Sequence, residues 1–87
     1  MYRKVLVLHG NSKSTYQILD GPEIDDELIE AVNGVEGVAW ANRSYGDYDL
    51  EISLTAGSLD TFRRTGDLLF ALAESLGYRL REVITLG

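Results

Sequence analysis

Residues 48–55, YDLEISLT, alternate apolar and polar side chains with a period of two. The apolar positions are Tyr48, Leu50, Ile52 and Leu54, and the polar positions are Asp49, Glu51, Ser53 and Thr55. This period is typical of a β-strand with one buried face and one solvated face. A sheet built from such strands needs a layer of helices on its apolar face, which restricts the chain to architectures that pack helices on a sheet.

The first segment able to supply that layer is residues 20–34. Asp20 or Gly21 can cap a helix here, and Pro22 suits the first helical position because its missing N–H would be unpaired there anyway. Asn33 and Gly34 end the helix, with the glycine as its left-handed residue. The predicted buried stripe recurs at helical spacing and consists of Ile24, Leu28, Ala31 and Val35.

The second helix is predicted over residues 58–77, capped by Ser58 and closed by Gly77. Its apolar side consists of Leu59, Phe62, Gly66, Leu69, Ala73 and Leu76. Gly66 costs about 0.5 to 1 kcal/mol relative to alanine in mid-helix, so we expect a close approach of this helix to a strand. Arg63 is expected to pair with Asp67 one turn further on.

Three further segments have strand composition. Residues 2–9 are apolar on both faces and predict a central strand, residues 38–45 form a hairpin with residues 48–55, and the chain ends in a strand that begins near Arg79. In this last strand Leu80, Ile84 and Leu86 are expected to share one face. Residues 15–19, TYQIL, are either an extra short edge strand or an extended arm.

The predicted order is therefore strand, helix, strand, strand, helix, strand. We assign the chain to the α+β class, as a single ferredoxin-like βαββαβ domain over residues 1–87. It has a four-stranded antiparallel sheet in the order 4-1-3-2, with two helices on one face. A chain of 87 residues has room for one core only.

Composition excludes several classes of function. No apolar run reaches the roughly 18 residues of a membrane helix, and there is no cysteine for a disulfide or a thiolate site, so we expect a cytoplasmic protein. The net charge is −6, and all of the excess lies between Asp20 and Gly37, which contain seven acids and no base. Such a field repels nucleic-acid phosphates, so direct DNA or RNA binding is not expected. No metal and no cofactor is predicted.

The stretch KVLVLHGNSKST suggests a phosphate-binding loop, but the match is partial. Lys13 follows a serine where a P-loop has glycine, and TYQIL does not begin a helix. We interpret the segment as an exposed polar turn. His9, at the end of the first strand, is the only histidine and is interpreted as structural, since neither an acid partner nor a cleft is evident from the sequence.

Three acids lie around the hairpin turn: Asp47, Asp49 and Glu51. Their spacing is compatible with catalytic carboxylates or cation ligands. Asp49 and Glu51 share a sheet face about 7 Å apart, which is also the spacing of an ordinary solvated row. We favour the structural interpretation. The acids of the first helix, Asp25, Asp26, Glu27 and Glu30, are a solvated helix face or a surface for a basic partner.

Both helices cover one side of the predicted sheet, which leaves the other side open. That side has a mixed character with an apolar middle, which suits a second subunit better than bulk water. We expect a homodimer or higher assembly, formed through the sheet or edge to edge.

The stretch VEGVAWANRSYGDYDLEISLT, residues 35–55, resembles the hairpin of the RAM domain, the effector-binding half of leucine-responsive and asparagine-type transcription regulators, which is related to ACT domains. The matching residues are Gly37, Val38, Gly46, Asp47, Tyr48, Asp49 and Leu50. The resemblance implies an amino acid or similar metabolite held between subunits near the hairpin turn. Gly46 would allow close approach of this ligand, and Asp47 and Asp49 would contact its ammonium group.

Two functions follow. The first is a non-enzymatic sensing and oligomerisation module of RAM/ACT type. The alternative is a small acidic inhibitor, of the DNA-mimic or phage and mobile-element type, whose first helix engages a basic protein. An acylphosphatase-like enzyme ranks third, because the sequence lacks an Arg and Asn loop able to cradle an anion.

Overall fold

The computed structural model of the chain describes residues 3–44, 46 and 48–86. Its elements are β1 (Arg3–Gly10), β2 (Lys13–Asp20), α1 (Asp26–Asn33), β3 (Val38–Arg43), β4 (Leu50–Leu54), α2 (Leu59–Ser75) and β5 (Arg79–Leu86). They form an α+β fold in which two helices pack on a five-stranded sheet. No helix of the described part is long and apolar enough to cross a membrane.

The sheet is mixed, with the strand order β3-β4-β1-β2-β5. The β1–β2, β2–β5 and β3–β4 pairs are antiparallel, and β1 pairs with β4 in parallel. It follows that β1, β4 and β5 run in one direction and that β2 and β3 run in the other.

The prediction of a four-stranded antiparallel sheet in the order 4-1-3-2 is wrong in strand count, order and direction, since the sheet has five strands and β1 and β4 are parallel. The ferredoxin-like βαββαβ arrangement is therefore not confirmed. The segment held to be a short edge strand or an arm is the eight-residue strand β2, which lies between β1 and β5. β2 occupies the edge of β1 that the last strand was expected to take, because a tight turn folds it back onto β1 along its full length. The last strand therefore pairs with β2 and runs parallel to β1. The relative order β3-β4-β1 is as predicted.

The turn between β1 and β2 settles the question of the phosphate loop. Asn11 and Ser12 have φ values of 48° and 59°, and both are exposed. Positive φ at both central residues is the pattern of a two-residue hairpin turn whose twist matches the flanking strands. The segment is therefore a polar turn, as expected, and it leads into a strand rather than a helix.

Both helices end where their sequences indicate, but α1 begins later than predicted. Asp25 caps it, accepting a hydrogen bond of 3.0 Å from the amide of Leu28. Residues 21–24 are a connector instead of a first turn, because β2 continues to Asp20 and Asp20 pairs with Arg79 of β5. α2 has the predicted cap, with Ser58 accepting from the amide of Thr61.

The core lies between the helices and one face of the sheet. Its buried members are Leu6, Leu8, Leu19, Ile24, Leu28, Val32, Ala41, Leu50, Ile52, Leu54, Phe62, Leu69, Ala73 and Tyr78. The alternation in β4 is confirmed for Leu50, Ile52 and Leu54 but not for Tyr48. The ring of Tyr48 lies edge-on to Tyr16, with centroids 6.3 Å apart, on the sheet face that points away from the helices. We call that side the open face.

The predicted faces of the last strand are also corrected. The register shifts between Ile18 and Leu19, so that Leu80 lies opposite Leu19 on the helix side while Ile84 lies opposite Tyr16 on the open face. Asp20 is buried next to this irregularity, and its Oδ2 pairs with Nε of Arg81 at 2.7 Å. A β-bulge of this kind changes which side chains share a face.

Two predictions about glycine residues are wrong: the close approach of α2 to a strand at Gly66 and the left-handed conformation of Gly34. A Cβ on Gly66 would lie 3.7 Å from Cδ2 of Leu8, which is ordinary contact and not a close approach. Gly34 has a φ of −84°, so the left-handed residue after α1 is Gly37, with a φ of 97°. A Cβ on Gly37 would lie 2.7 Å from Oγ1 of Thr65, so this position admits glycine alone.

Candidate functional site

Side chains on the open face form rows that cross all five strands. One row runs, by backbone register, through Trp40, Ser53, His9, Ser14 and Leu86. The adjacent row runs through Asn42, Glu51, Val7, Tyr16 and Ile84. In the first row the polar side chains of Ser53, His9 and Ser14 lie between Trp40 and Leu86 at the two sheet edges. The second row has buried Val7 at its centre, with Asn42 at one edge and Ile84 at the other.

His9 is the centre of a polar network on this face. Its Nε2 lies 3.0 Å from Oε2 of Glu51, and its Nδ1 lies 2.8 Å from Oγ of Ser14. The same oxygen of Glu51 accepts a hydrogen bond of 3.4 Å from the hydroxyl of Tyr48. With Glu51 as a carboxylate, Nε2 carries a proton and donates to it; in the neutral imidazole Nδ1 then accepts from the Ser14 hydroxyl.

A serine that donates to an imidazole held by a carboxylate is the arrangement that activates a nucleophile. Catalysis by such a serine also needs donors aimed at the developing oxyanion. Ser14 lies within the ladders that β2 makes with β1 and β5, where the strand amides already serve the sheet. The network therefore explains how four polar side chains find hydrogen-bond partners across three strands. It does not by itself support an enzymatic function.

The acid partner of His9 was missed at the level of sequence. The available signal was the polar face of β4, which contains Glu51 and Ser53. In the parallel register Ser53 lies beside His9 and Glu51 lies beside Val7, so a carboxylate two residues before Ser53 reaches the imidazole. Recognising this requires knowledge that β1 and β4 are neighbours and how they are aligned.

The residues predicted to hold a metabolite at the hairpin turn are only partly described. Asp47 lies outside the described residues. Gly46 is exposed and its amide donates to Oγ of Ser44, and a Cβ at this position would make ordinary contacts of 3.5 Å or more. The Oδ2 of Asp49 accepts from the amide of Val5 at 2.9 Å, and the amide of Asp49 donates to the carbonyl of Val5 at 2.9 Å. Asp49 thus extends the ladder between β1 and β4.

Asp49 and Glu51 do not converge as a carboxylate pair. Asp49 is bonded to the backbone of β1 and Glu51 to His9 and Tyr48, as described above. Within the described residues no group of three or more His, Cys, Asp or Glu side chains is placed to hold a metal ion.

The four acids proposed to face a basic partner divide into two kinds. Asp25 caps α1, and Asp26 lies 3.4 Å from Nη2 of Arg43. Glu27 and Glu30 are exposed on the helix surface. Bases from distant parts of the chain also reach the acidic segment, since Nζ of Lys4 pairs with Glu23 at 2.8 Å and Arg81 pairs with Asp20. Folding therefore neutralises part of the charge that the sequence places in this segment.

A groove of about 330 Å³ lies on the helix side, between β5 and α2. Its lining residues are Leu8, Thr15, Gln17, Phe62, Arg63, Gly66, Asp67, Phe70, Leu80, Val83 and Thr85. We call it the β5–α2 groove. Arg63 and Asp67, expected to pair with each other, make no ion pair within the described part of the chain.

Comparisons of the chain with protein-family models, with curated proteins and with solved structures each returned no match.

Proposed function

We propose that this chain is a non-catalytic module that self-associates through its open face and binds a small metabolite, in the manner of RAM and ACT domains. The observation that carries the proposal is the exposure of three large apolar side chains on the face that no helix covers: Trp40 at 41%, Ile84 at 39% and Leu86 at 52%. Large apolar side chains exposed on the same face of a sheet favour a protein contact over water.

The arrangement of these side chains supports a symmetric contact. Trp40 lies on the edge strand β3, and Ile84 and Leu86 lie on the opposite edge strand β5. A twofold axis parallel to the strands places β3 of one copy over β5 of the other. Each tryptophan then packs on the apolar end of the other copy's last strand, and sheets that pack face to face lie about 10 Å apart.

The edge strand β3 is not open to edge-to-edge assembly at Ala41. The side chain of Asn33 accepts from the amide of Ala41 at 3.0 Å and donates to its carbonyl at 3.2 Å, which blocks the outer edge of β3. Unpaired edge groups are the template for adding a strand, and α1 covers those of Ala41.

The test is the mass of the protein in solution, measured by sedimentation equilibrium over a range of concentrations. We expect Ile84→Arg to weaken self-association at least tenfold, because it places a charge within the apolar end of the contact. Leu68→Arg is the matched control, since Leu68 is half exposed on α2, away from the open face, and the substitution should leave association unchanged.

A wild-type protein that remains monomeric at about 100 µM, or an equal effect of the two substitutions, would contradict the proposal. The acidic-inhibitor hypothesis predicts a different result. In that case Glu27→Lys together with Glu30→Lys would abolish a salt-dependent complex with a basic protein, and Ile84→Arg would leave that complex intact.

A further inference from the structure

The β5–α2 groove combines apolar walls with two buried polar residues, Thr15 and Gln17. The exposed residues Arg63, Asp67 and Thr85 also line it. Phe62 and Phe70 from α2 face Leu80 and Val83 from β5, and Gly66 contributes no side chain between the two aromatic rings. The volume of about 330 Å³ lies at the lower end of the range of small-molecule pockets, roughly 300 to 1,000 Å³. The groove is therefore large enough for a small ligand and too small for a protein segment with bulky side chains.

Gln17 supplies the observation that points to a ligand. The residue is 4% exposed and lines the groove. Its Nε2 donates to the carbonyl of Gly66 at 3.1 Å, which fixes the amide orientation because a carbonyl can only accept. Its Oε1 is buried and accepts no hydrogen bond from any described residue. A buried acceptor without a donor is costly, and native structures contain few of them.

We propose that the β5–α2 groove binds a small, mostly apolar molecule that carries an N–H or O–H donor, and that this donor pairs with Oε1 of Gln17. The apolar body of the ligand lies against Phe62, Phe70 and Val83. The inference rests on the proposed function only for its biological use, and it places the metabolite in a groove within one chain instead of between subunits at the hairpin turn.

Oε1 of Gln17 is buried, so a ligand in the groove reaches it only after a local movement of the groove wall. The oxygen is shielded in the free protein, and β5 forms the outer wall of the groove. β5 pairs with β2 alone and is exposed along nearly all of its length. A small outward movement of this edge strand admits the donor, and ligand binding in turn stabilises β5 against the rest of the sheet.

The test compares indole with 1-methylindole, two probes of similar size and apolar surface of which only indole has an N–H donor. Both are titrated into the ¹⁵N-labelled protein, and amide shifts give the site and the affinity. We expect indole to shift the resonances of Gln17, Gly66 and Val83 and to bind about fivefold more tightly than 1-methylindole, the effect of one hydrogen bond.

Two variants separate the hydrogen bond from the cavity. Gln17→Met removes the acceptor at similar length, so the two probes should bind with equal affinity. Gly66→Ala places a methyl group in the groove within 3.7 Å of Leu8 and should weaken both probes, while the better helix propensity of alanine maintains or raises the melting temperature. Gly57→Ala is the matched control, because its Cβ would enter open space.

Equal binding of the two probes to the wild-type protein, shifts that map outside the groove, or no binding at 10 mM indole would overturn the inference. The outcome is independent of the test of assembly. If the wild-type protein self-associates but binds the two probes equally, the groove proposal is wrong and the assembly proposal stands. If the protein is monomeric but still binds indole more tightly, the assembly proposal is wrong and the groove proposal stands.

Discussion

At the scale of single residues, Tyr78 shows how one side chain links three parts of the fold. It follows α2 directly, its ring is buried in the core, and its hydroxyl donates to the carbonyl of Glu23 at 2.9 Å. A Cβ on Gly21 would lie 2.5 Å from its Cδ1, so the connector before α1 passes against the ring and needs glycine there. Burial raises the pKa of Tyr78 above the ordinary value for tyrosine, and the negative charges of Asp25 and Glu23 raise it further.

This shift predicts an alkaline loss of stability. A pKa that is higher in the folded state than in the unfolded state, where it is about 10, means that the folded protein favours the neutral phenol. The contribution of the neutral Tyr78 phenol to the free energy of unfolding is complete below about pH 10 and is lost as the pH rises through the folded-state pKa. Tyr78→Phe lacks this titration, although it loses about 1 kcal/mol at neutral pH with the hydrogen bond.

Urea unfolding of both proteins between pH 7 and pH 11 measures the effect. The stability advantage of the wild type over Tyr78→Phe should shrink above pH 10, because all other titrations are common to both proteins. Parallel pH profiles across the whole range would show that ionisation of Tyr78 does not contribute.

At the scale of elements, the late start of α1 shows which helix signals dominate. Asp20, Gly21 and Pro22 all suit a helix start, but Asp20 belongs to β2 and the hydrogen bond from Tyr78 fixes the carbonyl of Glu23. Strand pairing and a tertiary contact thus override local propensity. The actual cap is Asp25, whose carboxylate reaches the amide three residues on.

We expect Asp25→Ala to lower the free energy of unfolding by about 1 kcal/mol, because the amide of Leu28 loses its acceptor. Asp26→Ala is the control in the adjacent position. Its pair with Arg43 is exposed, and exposed pairs contribute between about 0 and 1 kcal/mol. Urea denaturation at neutral pH compares the two. A larger loss for Asp26→Ala would place the cap elsewhere.

The individual helices and strands differ in how well the sequence predicts them. Period-two alternation identified β4, and the Ser58 cap with Gly77 identified α2, because both signals lie within single elements. The length of β2 could not be predicted, since residues 13–20 have no clear alternation and gain their partners from β1 and β5. The network of His9 and Glu51 could not be predicted for a related reason, because it depends on the alignment of two strands that are about 40 residues apart in sequence.

At the scale of the whole molecule, the strands of the sheet differ in how many neighbouring strands they pair with and how deeply they are buried. β1 is central and has strand partners on both sides, whereas β5 is paired only with β2 and all of its residues but Leu80 are exposed. Few contacts and exposed backbone bonds favour local opening.

We therefore expect the ladder amides of β5 to exchange with deuterium faster than those of β1, measured by NMR at a concentration where the protein is monomeric. The reason is that β5 contributes only the partly buried Leu80 to the core, while β1 opens only with the whole sheet. Equal protection factors in the two strands would show instead that the sheet opens as one unit.

The direction of β5 has a consequence for how copies of this domain can be joined. Because β5 runs parallel to β1, Arg3 and Leu86 lie at opposite ends of the sheet, whereas an antiparallel last strand would bring them to the same end. Leu86 lies in the row of His9, so a peptide that joins Leu86 to Arg3 must span six strand residues along the sheet, about 20 Å. Tandem copies fused by a short linker would follow one another along the strand axis, so fusion alone would not bring two open faces into contact.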